Sequence, residues 1–230
     1  MSDAPDPAAI TQIVAIDGPA GAGKSTTARR VAQALGFAFL DTGAMYRAAT
    51  WRALARGIDM DDPEAATAST QAMRYEVRPT ASGDRILVDD TDVTDAIRTP
   101  EVTRMIHRID NIPAVRACLV DTQRRVAAVR PTVAEGRDMG TVVFPAARCK
   151  VFLDASLEER ARRRHAELTA KGVSTDFDEL LREVHERDER NRNRETSPLR
   201  KADDAILVDT THLSPDEAVA TIVRLAKERL

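Results

Sequence analysis

The chain has 230 residues, 43% of them hydrophobic and 31% charged, which suffices for one α/β domain with appendages around a buried core. Acidic and basic residues nearly cancel at a formal net charge of −3, so no global field draws in a nucleic acid or an anionic membrane, and any nucleotide site has to be local. There is no run of about eighteen apolar residues, no basic start or apolar stretch in the first eleven residues, and no metal or disulfide spacing at Cys118 and Cys149, so a cytoplasmic protein with reduced thiols is expected.

In chain order, Ile13-Val14-Ala15-Ile16 reads as a short strand buried on both faces. Ala28, Val31, Ala32 and Leu35 recur at helical spacing, and Gly36 stops that helix. Phe37 to Leu40 gives a second strand, and Met45, Ala48, Ala49 and Leu54 mark a helix running towards Gly57. Residues 59–98 break this rhythm. There Tyr75-Glu76-Val77-Arg78 and Arg85-Ile86-Leu87-Val88, separated by a Pro/Ser/Gly turn, predict a β-hairpin in a small inserted domain.

Strands return at 132–134, 151–153 and 206–208, each followed by an acidic residue. The stripe Phe177, Leu180, Leu181, Val184 gives way at 185–200 to a polar run without an apolar face, expected to be mobile or ordered by ligand. The last helix opens with a capping box at Ser214 and Glu217 and Pro215 in its first turn. Five strands alternating with helices imply an α/β fold with a doubly wound, parallel, five-stranded sheet. The expected division is a flexible extension at 1–11, a core at 12–58 and 99–230 with a helical lid at about 158–200, and an accessory insert at 59–98.

Gly18, Pro19, Ala20, Gly21, Ala22, Gly23, Lys24 and Ser25 match the phosphate-binding pattern GxxxxGK[ST], between a predicted strand and a predicted helix as the motif requires. Glycines let consecutive backbone N–H groups converge on a phosphate, and the helix N-terminus adds partial positive charge. Lys24 is expected to pair with the β- and γ-phosphates, Ser25 to place its hydroxyl on Mg²⁺, and Thr26 to complete the ATP site.

Three segments carry a wider resemblance: 16–48, beginning IDGPAGAGKSTTARR; EGRDMGTVVFP at 135–145; and RDERNRNRETSPLRKADDA at 187–205. In this order they resemble the signatures of the bacterial cytidylate kinases, within the P-loop nucleoside monophosphate kinases. The resemblance runs from Ile13 to the C-terminus. It implies transfer of the γ-phosphoryl group of ATP to CMP and dCMP by a monomer that uses Mg²⁺ and engages neither nucleic acid nor membrane.

The resemblance also implies roles. Arg47 and Arg137 reach the acceptor phosphate, Thr42 touches the substrate or only caps its helix, and Asp138 works with Arg116 on the edge of cytosine or forms a structural salt bridge with it. Arg187 and Arg194, seven residues apart, are read as lid arginines sharing one helical face. Arg160, with Arg162 and Arg163, is a candidate for stacking on adenine or touching the donor phosphates. Asn191 stands where similar proteins carry an Asp that accepts from the ribose hydroxyls. His107 stands where relatives often have a small hydroxyl residue near the base, and packing at a helix surface is an equal reading. Two rivals are a P-loop kinase for another small acceptor, such as shikimate or a different nucleotide, where a hydroxyl acceptor could recruit Asp17 or Asp41 as base, and a nucleotide-dependent switch, which as a GTPase would carry an NKxD motif that is absent.

Overall fold

The computed structural model describes residues 12–78, 80, 84–170 and 172–230. The extension at 1–11 and residues 79 and 81–83 of the Pro/Ser/Gly turn lie outside the described residues. The described strands are β1 (Ile13–Asp17), β2 (Ala38–Asp41), β3 (Tyr75–Arg78), β4 (Arg85–Val88), β5 (Thr91–Asp92), β6 (Thr132–Gly136), β7 (Cys149–Asp154) and β8 (Ile206–Asp209). The α-helices are α1 (Lys24–Leu35), α2 (Thr42–Ala55), α3 (Pro63–Gln71), α4 (Pro100–Asp110), α5 (Pro113–Ala127), α6 (Leu157–Ala170), α7 (Phe177–Arg192) and α8 (Pro215–Arg229). The chain divides into two compact units, one ending at Leu40 and resuming at Arg124, the other Asp41–Gln123.

The first unit holds the five-stranded parallel sheet, in the order β2-β6-β1-β7-β8. β1 is buried at every position, as its unbroken apolar run requires. Ile16 lies opposite Glu135 of β6 on one side and Val151 of β7 on the other, so β1 is central. Its carboxyl end is flanked by strands wound to opposite sides, the switch point where open α/β sheets bind ligands. Val14, Ile16, Val133, Val151, Leu153 and Val208 from the sheet pack with Ala28, Val31 and Ala32 of α1 and Ile222 and Ala226 of α8. Gly36 ends α1 in the left-handed conformation at φ 70°, and the predicted capping box opens α8.

In the second unit β3 and β4 form the expected hairpin, with Tyr75 opposite Val88 and Arg78 opposite Arg85. A third strand, β5, was not anticipated. It follows a two-residue turn in which Asp89 and Asp90 take φ 49° and 68°, the double left-handed turn that suits hairpin twist. This unit extends beyond the 59–98 insert for a packing reason: Ala44 and Ala48 of α2 bury against Ile86, Val88, Val93 and Ile97.

The polar run at 185–200 departs from expectation, because as far as Arg192 it completes α7, which packs along α6. Asp188 on its inner face is buried and paired with Arg160 of α6 at 2.5 Å. An ion pair there does the holding that an apolar stripe does elsewhere.

Candidate active site

The phosphate loop follows from the sheet beneath it. Gly18 leaves β1 at φ 150°, and a Cβ there would lie 1.9 Å from the Leu153 carbonyl oxygen of β7, so the chain can turn only as glycine. Gly23 takes φ 85° and starts α1, whose N-terminus has no side-chain cap. Its first amides are therefore available to an anion.

Lys24 is only 6% exposed, and its Nζ donates to the Pro19 carbonyl at 2.7 Å, folding the ammonium back over the loop. Burial pushes its pKa down to about 7; Arg137 and Arg187 push the same way, while Glu135 and Asp17 oppose them. Lys24, Arg137 with Glu135, and Arg187 come from the three separate sequence signatures, so segments far apart in the chain converge on one point. Ser25 Oγ donates to Glu135 Oε1 at 2.5 Å. This hydroxyl and carboxylate are hard oxygen donors that suit Mg²⁺, which is bound by few protein groups together with substrate phosphates. No cluster of three or more His, Cys, Asp or Glu that could hold a metal by itself occurs among the described residues.

Asp17, the last residue of β1, is buried, and its Oδ1 and Oδ2 accept from the amides of Met139 and Gly140 at 2.7 Å each. Burial raises its pKa well above the carboxylate range, and the two amides act against that rise. Both oxygens are committed to the π-helical turn Met139–Val143 that follows Arg137 and Asp138. Arg137 is half-buried, with Nη1 donating to the Gly136 carbonyl at 3.3 Å, and Asp138 is buried at the head of the turn.

Three sequence expectations need correction. Arg160 is buried, and it donates to the Ala155 and Ala20 carbonyls at 2.9 and 3.0 Å and to Asp188, so its guanidinium supports the loop from behind rather than reaching for a nucleotide. Arg187 and Arg194 do not share a helical face. Helix α7 is capped at Asn193, the Leu199 amide returns to the Asn191 carbonyl at 2.8 Å, and Arg194 Nε donates to the Ser197 carbonyl at 3.0 Å. Thr42 does not cap α2 either: Asp41 does, accepting from the Ala44 amide at 2.7 Å, while Thr42 is buried in the first turn. Asn191 is half-buried on the last turn of α7, and its Nδ2 has no hydrogen-bond partner among the described residues.

In the second unit, Arg47 Nη2 lies 3.2 Å from Asp41 Oδ2 and Arg98 Nη2 lies 3.7 Å from the same oxygen. Arg98 was missed because nothing in its local sequence separates it from a surface arginine. Arg116 is buried under the Tyr46 ring, 5.3 Å from its centroid, with Nη1 donating to the Asp110 carbonyl at 3.2 Å. His107 is exposed on α4, its Nδ1 2.7 Å from the Arg104 carbonyl.

The family model described as cytidylate kinase matches residues 14–228. The chain belongs to the cytidylate kinase family. It is 49% identical over 212 residues to the cytidylate kinase of Carboxydothermus hydrogenoformans, covering 92% of this chain and 96% of that one. The cytidylate kinase of Geobacillus kaustophilus is 47% identical, with 94% and 97% covered, and that of Rhodopirellula baltica 48% identical, with 94% and 93% covered. Membership of the cytidylate kinase family spans both units, so the Asp41–Gln123 segment is integral to it.

Proposed function

We propose that this enzyme transfers the γ-phosphoryl group of ATP to CMP and dCMP, releasing ADP and the nucleoside diphosphate. The observation that carries the reading is the convergence on Lys24 of charged groups from all three signatures, in a chain of the cytidylate kinase family. An acceptor phosphate oxygen attacks the γ-phosphorus as the bond to the β,γ-bridging oxygen breaks. A phosphate monoester has its second pKa near about 6, so the nucleophile is already ionised at neutral pH and no base is required. That agrees with Asp17, whose two oxygens are taken up by amides, and with Asp41, which holds Arg47 and the α2 cap. A hydroxyl acceptor would need one of them as base, which disfavours that rival.

Catalysis then rests on alignment and charge neutralisation. Loop amides from Gly18 to Thr26 and the Lys24 ammonium hold the donor phosphates. Arg187, Arg194 and Arg137 neutralise the transferring group; Arg47, Thr42 and Arg137 hold the acceptor; Asp138 and Arg116 read cytosine; and Asn191 serves the sugar. Ser25 and Glu135 would hold Mg²⁺, which supplies charge neutralisation on the phosphate oxygens. The α6–α7 hairpin serves as the lid that keeps water out.

The near-zero net charge supports action on small molecules rather than on a nucleic acid or an anionic membrane, and the reading takes the enzyme to be a cytoplasmic monomer. The test is a panel of nucleoside monophosphates with ATP and Mg²⁺, following ADP release. Selective turnover of CMP and dCMP is expected; ATP hydrolysis that no monophosphate accelerates would point to a switch instead.

A further inference from the structure

The Arg160–Asp188 pair lies outside the phosphate chemistry, yet its side chains are only 5% and 2% exposed. Burying two charges is costly, and Asp188 Oδ1 has no hydrogen-bond partner among the described residues, which adds to the cost. A hydrophobic pair of similar volume would hold α6 against α7 at least as well. Stability alone does not call for charge here.

What a hydrophobic pair cannot do is grip the loop. Arg160 Nη1 donates to the Ala20 carbonyl at 3.0 Å and to Asp188 Oδ2 at 2.5 Å, while Nε is anchored on the Ala155 carbonyl at 2.9 Å. In a planar trans peptide the carbonyl and the following N–H point in opposite directions. Drawing the Ala20 carbonyl towards α6 therefore turns the Gly21 N–H to the other side of that plane. Gly21 has φ 78°, and a Cβ on it would lie 3.1 Å from both Arg160 Cβ and Arg160 O, so loop and helix are in contact. A glycine peptide rotates easily, and the arginine removes that freedom.

Building on the assignment of this loop to ATP, we propose that Arg160, locked by Asp188, is a positioning residue that fixes the Ala20–Gly21 peptide plane and presets the loop amides for the donor phosphates. Asp188 adjoins Arg187, whose guanidinium bears on Lys24, so one helix supplies both the lock and a charge of the site.

The experiment compares wild type with Arg160→Met, Asp188→Leu, the double variant and Arg160→Lys, recording Tm, steady-state kinetics and calorimetric ATP binding. Each single charge removal is expected to lower Tm by leaving a buried ion alone, and the double variant to regain it. The double variant should nevertheless keep kcat/KM for ATP about 10- to 100-fold below wild type, with KM for CMP within about twofold. Arg160→Lys should recover part of the ATP deficit, because it retains a donor to Ala20. Recovery of wild-type ATP binding together with Tm in the double variant would overturn the proposal, and so would equal damage to both substrates. A double variant that does not fold would also overturn it, since the charges would then be serving the fold. If wild type itself makes no CDP, the functional reading fails, and ATP binding still decides the role of Arg160.

Discussion

The glycine loop and the cluster around Asp41 both gather positive groups, but with different materials. The loop uses backbone: glycines at 18, 21 and 23 with positive φ, and buried side chains behind them in Lys24, Asp17 and Arg160. The Asp41 cluster uses long side chains, with Arg47 and Arg98 sharing one carboxylate and the Arg98 side chain 46% exposed. The first arrangement is set before any ligand arrives. In the second, Asp41 already holds Arg47, so any anion that binds Arg47 there has to compete with that carboxylate.

The largest effect is expected from breaking the preset side. Lys24→Ala should lower kcat by at least about 10²- to 10³-fold, the scale of losing one preorganised charge stabiliser, while Tm stays near wild type. Near-normal turnover would remove the loop from the mechanism. On the Asp41 side, Arg47→Ala should raise KM for CMP about 10- to 100-fold, the scale of a charge-assisted hydrogen bond, and leave ATP binding intact. An equal loss of ATP affinity would erase the contrast between the two regions.

A pH titration sharpens the comparison further. Free Lys24 titrates at about 7, held down first by burial and then by Arg137 and Arg187, and bound phosphates restore its charged form. Binding therefore takes up a proton above that pH. ATP affinity should be flat below pH about 7 and fall by up to about tenfold per unit as pH rises towards the bound-state pKa. Calorimetry in buffers of different ionisation enthalpy reads the proton directly, and release instead of uptake would contradict the assignment. The smallest effect is expected from Asp138→Ala, which should weaken preference for CMP over UMP by at least about 1 kcal/mol, the scale of one unmade hydrogen bond. Unchanged relative kcat/KM for the two nucleotides would refute the cytosine-reading role.

What was legible in the sequence was local. The loop declares itself in eight consecutive residues, and the sheet strands declare themselves as short apolar runs ending in Glu135, Asp154 and Asp209; in the central β1 and β6, burial on both faces leaves little room for polar side chains, whereas the edge strand β8 keeps its apolar run with Leu207 exposed. The resemblance to relatives joined three distant segments that no periodicity connects. What stayed hidden depends on pairing across the chain. Asp188 reads as one more charge in a solvated run until Arg160 is brought against it, and β5 is too short at two residues to show an alternating pattern. The cap of α2 was placed one residue late because Asp41 and Thr42 are both good capping residues, and only the backbone decides which one stands outside the helix.

The grip of Asp17 on two successive amides bears on which lengths of chain the fold tolerates. A residue inserted or deleted between Gly136 and Gly140 would slide both N–H groups out of reach and strand a bare carboxylate beneath the nucleotide loop. The spacing of this stretch is thus dictated by electrostatics, and a tether only a few atoms long makes the first strand the ruler for both signatures.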